Sequence, residues 1–191
     1  MSVEVTSPSE SFAATVLPGV DVVHNLARRL TRSRVDSEDL LQETLERAWI
    51  AWRRGVRPDS LNAWLSTICL NVARDRARQS SRRPEVSWRE DLDPAGAVDV
   101  EDLAIRRVQL GMIERALWTL SENQRVAITL MDICGLTAEE TAQTTGCARG
   151  TVLARVHRGR KALARAVSDL AERPGPPRNE HSDLHDGGEH R

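Results

Sequence analysis

The 191-residue chain contains no tyrosine, a single phenylalanine, and Lys161 as the one lysine among its 27 basic residues. Arginine in place of lysine, with few aromatics, is what a GC-rich genome produces, so it reports codon bias rather than mechanism. No apolar run approaches the roughly eighteen residues of a membrane span, so direct membrane insertion is not expected. The opening segment MSVEVTSPSESFAAT lacks the positive start and apolar centre of a secretory signal, which points to the cytoplasm. Cysteine is sparse: Cys69, Cys134 and Cys147 are widely spaced without a CxxC, and are expected as reduced thiols that serve packing. Also missing are a Gly-rich phosphate loop, an HExxH pair, and any nucleophile with a base at telling spacing. The chain is therefore not expected to be an enzyme or to carry a cofactor. His181, His185 and His190 sit among Gly and Asp in a tail without apolar content, so disorder rather than a metal site is expected there.

What remains is a soluble composition, 40% hydrophobic and 29% charged, long enough for one medium domain or two small ones. The net charge of −1 argues against coating nucleic acid by bulk attraction. Distribution is more informative. Arginines cluster at 28–34, 53–57, 74–83 and 149–165, whereas acids dominate 36–46 and 85–102. Any DNA contact is local, and acidic surface is left for another partner.

The apolar periods are helical throughout, with no strand-like alternation of useful length, and predict an all-α protein. One helix covers Val20 to Thr31. A second carries Leu40, Leu41, Thr44, Leu45, Ala48, Trp49 and Trp52, capped by Asp36 or Ser37 and broken by Gly55 and Pro58. A third follows at Leu61, Trp64, Leu65, Ile68 and Val72. Trp49 and Trp64 lie on apolar stripes and are expected in the core; Trp52 borders the loop, and Trp88 is a linker residue. From Pro84 to about Val100 the pattern gives way to prolines and acids, a linker. Helical period resumes from Leu103 to Leu120 and from Val126 to Ile133, with a turn at Ser121 to Asn123. Gly135 ends that helix, Thr137 caps the next, and Gly146 separates it from 146-GCARGTVLARVHRGRKAL-163.

Two helices joined by that tight turn have the form of a helix-turn-helix. On the second, Val152, Val156 and Leu163 face inward, leaving Ala154, Arg155, His157, Arg158 and Lys161 outward. Such a helix fits the B-DNA major groove, where Arg pairs bidentately with guanine and Thr151 or the first amides hold phosphate. A solvated basic face on a core helix is the plainer alternative. Upstream, with Leu40, Leu41 and Leu45 inward, Asp39, Gln42, Glu43 and Glu46 share the opposite face of one helix, and a basic partner would profit from them. On the next helix Asn71, Arg74, Asp75 and Arg78 point outward, a mixture of amide, carboxylate and guanidinium able to hydrogen-bond base edges.

In order and spacing, the segments LSENQR, GLTAEE and GTVLARVHRGRKAL resemble region 4 of the extracytoplasmic-function sigma factors, and residues 37–52 with 61–83 resemble region 2. The resemblance covers roughly residues 20 to 170. It implies two small helical domains, the region 2 bundle and the region 4 helix-turn-helix, joined by a flexible acidic linker. The corresponding division is a disordered 1–19, region 2 at 20–83, linker 84–104, region 4 at 105–170 and a disordered 171–191. Implied partners are core RNA polymerase, through its beta-prime coiled coil and beta flap, promoter DNA, and an anti-sigma factor. Asp39, Leu40, Gln42 and Glu43 would bind the polymerase. Arg54, Arg57, Asn71, Arg74, Asp75 and Arg78 would take the minus-10 element, with a flipped base near the loop 53–60. Arg149, Thr151, Leu153, Ala154, Arg155, His157 and Arg158 would read the minus-35 element. Thr141 and Thr145 stand where the family places aliphatics. Leu153 stands where relatives are often basic or polar, which would exchange a polar contact for one with a thymine methyl. The implied function is promoter recognition and initiation as an alternative sigma factor under anti-sigma control. A stand-alone helix-turn-helix regulator, and a helical adaptor that binds only proteins, are the alternatives. The acidic linker is either a solvated spacer or a nucleic-acid mimic.

Overall fold

The computed structural model describes residues 8–80 and 102–172, with side chains over 11–79 and 110–172. Among these residues every regular element is helical. α1 (Pro8–Val16) runs through a 3-10 turn, Leu17–Gly19, into α2 (Val20–Leu30), and α3 (Arg34–Arg53) and α4 (Leu61–Ser80) complete the N-terminal bundle. The C-terminal half is α5 (Asp102–Thr119), α6 (Glu122–Ile128), α7 (Ala138–Thr145) and α8 (Arg149–Glu172). Residues 81–101, with Trp88 and nearly all of the acidic linker, and residues 173–191, with the tail histidines, lie outside the described residues.

Residues 8–19 are ordered, against the expectation of a disordered N-terminus. Phe12 packs edge-on against Trp49 and Trp52, at centroid distances of 5.1 and 5.8 Å, and Val16 is buried. A helix this short is marginal by propensity, and the long-range aromatic contact is what holds it. Gly19 lies under α4 so closely that a Cβ would meet Leu65 Cδ1 at 2.6 Å.

The cap of α3 is Ser33 rather than Asp36 or Ser37: extended at φ −109° and ψ 155°, it accepts from the Asp36 amide at 3.0 Å. The buried line of α3 is Leu40, Thr44, Ala48 and Trp52, at i, i+4, i+8 and i+12, while Leu41, Leu45 and Trp49 are half-buried at its edge. Trp52 is 4% exposed and so is a core residue, whereas Trp49 and Trp64 are only half-buried. Thr44 is accommodated inside because its hydroxyl donates to Leu40 O at 2.7 Å. α4 buries Leu65, Ser66, Cys69, Leu70 and Val72, a broader face than one stripe, because α2 and α3 cover one side and α7 another.

In the C-terminal half the punctuation falls where the sequence places it. Gly135 and Gly146 adopt positive φ, 73° and 70°, and Thr137 with Glu140 closes a reciprocal capping box at the start of α7. A π turn, Thr129–Ile133, prolongs α6 before Gly135, with Cys134 N donating to Thr129 O at 2.9 Å. Val152, Val156 and Gly159 form the buried line of α8, and Leu163 is half-buried. The two halves share one apolar core: Val126, Leu130, Cys134 and Leu136 join the cluster built from Val23, Leu26, Leu40, Leu65, Cys69 and Leu70.

Candidate polymerase and promoter interfaces

The α3 face is acidic but internally tied. Glu43 receives Arg47 at 2.7 Å and Arg76 at 2.8 Å, and Arg47 reaches on to Asp75 at 3.0 Å. Asp75 and Glu43 together raise the Arg47 pKa above its ordinary value, the Asp75 hydrogen bond contributing most. Asp39 and Gln42 are exposed; the Asp39 carbonyl accepts from Arg76 at 3.0 Å, and Gln42 donates to Glu46 at 3.0 Å. Leu40 does not belong to this face. It is 0% exposed, because it begins the buried line of α3, so it supports Asp39 and Glu43 from beneath instead of touching a partner. Beside the acids lies an open apolar groove lined by Glu38, Leu41, Gln42, Leu45, Glu46 and Trp49.

The residues expected at the minus-10 element are spread over two settings. Arg54, Asn71 and Arg78 are exposed. Arg57 is folded back: its guanidinium stacks 3.7 Å from the centroid of Trp52 and donates to the carbonyls of Trp52 and Val56, each at 2.8 Å. Asp75 is bound up with Arg47 and, at 3.6 Å, Arg78. Arg74 is half-buried and donates to the Thr145 carbonyl of α7 at 3.3 Å.

On α8, Thr151, His157 and Arg158 are exposed on the side opposite Val152 and Val156, and Arg149 is exposed at the start of the helix. Leu153 joins them at 40% exposure, an apolar side chain held out to solvent. Ala154 and Arg155 are half-buried, and Arg155 turns back to the start of the helix, donating to Cys147 Sγ at 2.9 Å. Arg160 is engaged elsewhere, bidentate on Asp132 with Nε at 2.9 Å from Oδ2. Thr141 is buried, and Thr145 donates to Thr141 O at 2.6 Å, so both threonines stay within the helix pair.

Sequence reasoning missed several residues. Gly159 lets α6 approach α8, since a Cβ there would meet Ile128 Cδ1 at 2.7 Å. Arg125 is buried, stacked 4.0 Å from the centroid of Trp118, with Nε donating to Arg29 O at 3.0 Å; burial lowers its pKa from the ordinary value. Its place inside LSENQR is the signal that could have found it. Burial pushes the Cys69 thiol up to about 12 and the Cys134 thiol up to about 11, which keeps both protonated, consistent with a packing role. Among the described residues no group of three or more His, Cys, Asp and Glu side chains could hold a metal ion.

Comparison with known proteins agrees with this architecture. The Sigma-70 region 2 family model matches residues 20–83, and the Sigma-70 region 4 model matches residues 110–163. The chain is 35% identical over 172 residues to the ECF RNA polymerase sigma factor EcfG of Rhodopseudomonas palustris, covering 88% of this chain and 92% of that protein. The chain belongs to the ECF RNA polymerase sigma factors. Another relative, SigE of Mycolicibacterium smegmatis, is 37% identical over 155 residues, which are 80% of this sigma factor but only 60% of that protein. Among solved structures, the sigma factor RpoE of Bartonella quintana in complex with the anti-sigma factor NepR matches with a TM-score of 0.66 at 30% identity, over 83% of this chain and 98% of that one. CnrH in complex with the cytosolic domain of CnrY matches with a TM-score of 0.60 at 26% identity, over 84% and 90%. Among the described residues, no helix of this sigma factor is long and apolar enough to cross a membrane.

Proposed function

We propose that this ECF sigma factor docks on core RNA polymerase through the α3 face of Asp39, Gln42 and Glu43 and brings it to promoters read by α4 and α8. It works in the cytoplasm; the polymerase carries the chemistry, and the sigma factor supplies placement and local melting. The observation that carries the reading is the division of exposed charge within one chain: carboxylates on α3, and Arg149, Thr151, His157 and Arg158 on α8. Carboxylates repel phosphate, so the α3 face suits a protein with basic groups, whereas guanidinium and hydroxyl groups suit base edges and phosphates. Arg54, Asn71, Arg74 and Arg78 receive the minus-10 strand. Arg57 and Asp75 hold the loop and the α3–α4 pair in shape around them. Leu153, next to the basic residues, offers an apolar contact to a thymine methyl.

Control by an anti-sigma factor is part of the proposal. It is supported by the RpoE likeness, since that sigma factor was solved with the anti-sigma factor NepR. The test is run-off transcription with purified core RNA polymerase and a genomic promoter library. Initiation that depends on the added chain is expected. A chain that shifts duplex DNA alone and never supports initiation would make it a stand-alone helix-turn-helix regulator instead.

A further inference from the structure

The loop 53–60 follows Trp52 and runs into α4 at Leu61, and the N-terminal segment touches both of its ends. At the α3 end, Phe12 of α1 packs edge-on against Trp52 at 5.8 Å and against Trp49 at 5.1 Å. At the α4 end, the 3-10 turn places Gly19 so close that a Cβ there would meet Leu65 Cδ1 at 2.6 Å and Leu61 Cδ2 at 3.1 Å. Between the two contacts in sequence, Val16 is buried in the core of the N-terminal bundle. Inside the loop the backbone is drawn onto the same indole. Arg57 stacks 3.7 Å from the Trp52 centroid and donates to the carbonyls of Trp52 and Val56, each at 2.8 Å. Gly55, at φ 93°, donates its amide to Trp52 O at 2.9 Å. Among the described residues the buried indole N–H of Trp52 has no hydrogen-bond partner, so the ring is oriented by what packs on it: Arg57 from the loop and Phe12 from α1.

We propose that α1 and its 3-10 turn brace the loop that receives the flipped minus-10 base, with Phe12 as a positioning residue that acts through Trp52 and Arg57. This rests on the assignment of that loop to the flipped base. A base taken out of the stack is held only by its pocket, so walls already in place reduce the ordering cost of capturing it. The loop's own side chains do not supply such walls: Arg54, Val56 and Asp59 are exposed, and Gly55 adds backbone freedom. Shape comes from outside the loop. The spacing of its ends is set by Phe12 on Trp52 and by Gly19 on Leu61 and Leu65, and its interior by Arg57 on Trp52. Without the Phe12 ring, α1 loses the contact that holds so short a helix, the Trp52 ring turns more freely, and Arg57 leaves the carbonyls. Arg54, Val56 and Asp59 then meet the base in many arrangements instead of one, so base preference falls before binding does. The exposed residues of α8 take no part in these contacts, so reading of the upstream element is kept.

The test compares Phe12→Ala, Phe12→Tyr and Arg57→Ala in the full chain. Alanine removes the ring and tyrosine keeps it, while Arg57→Ala reaches the loop without disturbing the Phe12 contact with Trp49. In the free chain, amide hydrogen exchange at residues 54–56 should accelerate at least tenfold in Phe12→Ala and Arg57→Ala, with exchange in α8 unchanged and Phe12→Tyr within twofold of wild type. With core polymerase, initiation is then measured on a promoter and on versions substituted at each minus-10 position in turn. The wild-type chain should prefer one base at an unpaired position. Phe12→Ala and Arg57→Ala should cut that preference at least fivefold, Phe12→Tyr should restore it, and preference in the minus-35 element should be kept. Unchanged exchange at 54–56 in Phe12→Ala would overturn the brace, as would initiation that falls equally on every promoter with each base preference intact, the mark of a merely structural role. A wild-type chain without base preference in the minus-10 element would remove the role of the loop, and the proposal with it. The exchange measurement, made without polymerase, tells the two failures apart.

Discussion

Region 2 ties charged side chains of α3 and α4 to one another, whereas region 4 holds most of those on α8 out in solvent. Glu43, Arg47, Asp75 and Arg76 form one connected network between α3 and α4, while Arg149, His157 and Arg158 project from α8. Under the proposed function the difference matches the partner assigned to each surface. A protein partner has one shape, so its docking face gains from side chains already held in place, which reduces the ordering cost of binding. Promoter DNA is approached by electrostatic attraction and then read in register, so exposed cations are needed first. Arg155, donating to Cys147 Sγ, and Arg160, tied to Asp132, are the exceptions, and the second fixes α8 against the π turn.

The comparison can be broken at its base, because the two regions share a core. Leu130→Ala removes a fully buried side chain of that shared cluster and should cost about 2–5 kcal/mol, seen in urea denaturation. Both halves should lose protection together; loss confined to α5–α8 would mean that the shared core is not cooperative. Gly159→Leu forces a side chain into the space of Ile128 and Gln124 and should cost about 1–3 kcal/mol, with weaker duplex binding and an intact α3 face, read by denaturation and DNA retention.

Gly135, Thr137 and Gly146 were legible in the sequence because a positive φ or a cap is a local demand met by one residue type. The exposed side of α8 was legible because its apolar line repeats at helical spacing. α1 was not: its order depends on Phe12 meeting Trp49 and Trp52 some forty residues away, which no local pattern announces. Trp52 looked like a loop-edge residue, yet it continues the Leu40–Ala48 line under Phe12 and Arg57. Leu40 entered the docking set through its neighbours in the motif, and burial removes it. The contact between α4 and α7 was illegible because Thr67 and Thr144, which meet there, are ordinary polar helix residues until tertiary packing brings them together.

Smaller perturbations sharpen the contrast between the regions. Thr137→Ala opens the capping box of α7 and should cost about 1 kcal/mol, with faster hydrogen exchange in α7 and little change in α3. Acid should act on the same helix. Ser60 first, then Thr137, hold the Glu140 carboxyl below its ordinary 4.5. A carboxyl with a depressed folded pKa contributes stability that is fully present above its unfolded value and is lost as pH falls through the folded one. The α7 cap and its tie to Ser60 should therefore hold at neutral pH and weaken only below about 4.5, and Glu140→Gln should flatten that step in a pH series of exchange rates.

The central claim is that two separate faces of one chain serve two partners, and a crossed comparison of Asp39→Arg and Arg158→Ala tests it most directly. Each variant is measured for association with core polymerase by co-sedimentation and, within the assembled enzyme, for retention of a duplex carrying the upstream promoter element. Asp39→Arg should lose polymerase association while keeping its fold. Arg158→Ala should keep polymerase association and weaken duplex retention roughly tenfold. Polymerase association unchanged in Asp39→Arg, or lost in Arg158→Ala, would contradict the account.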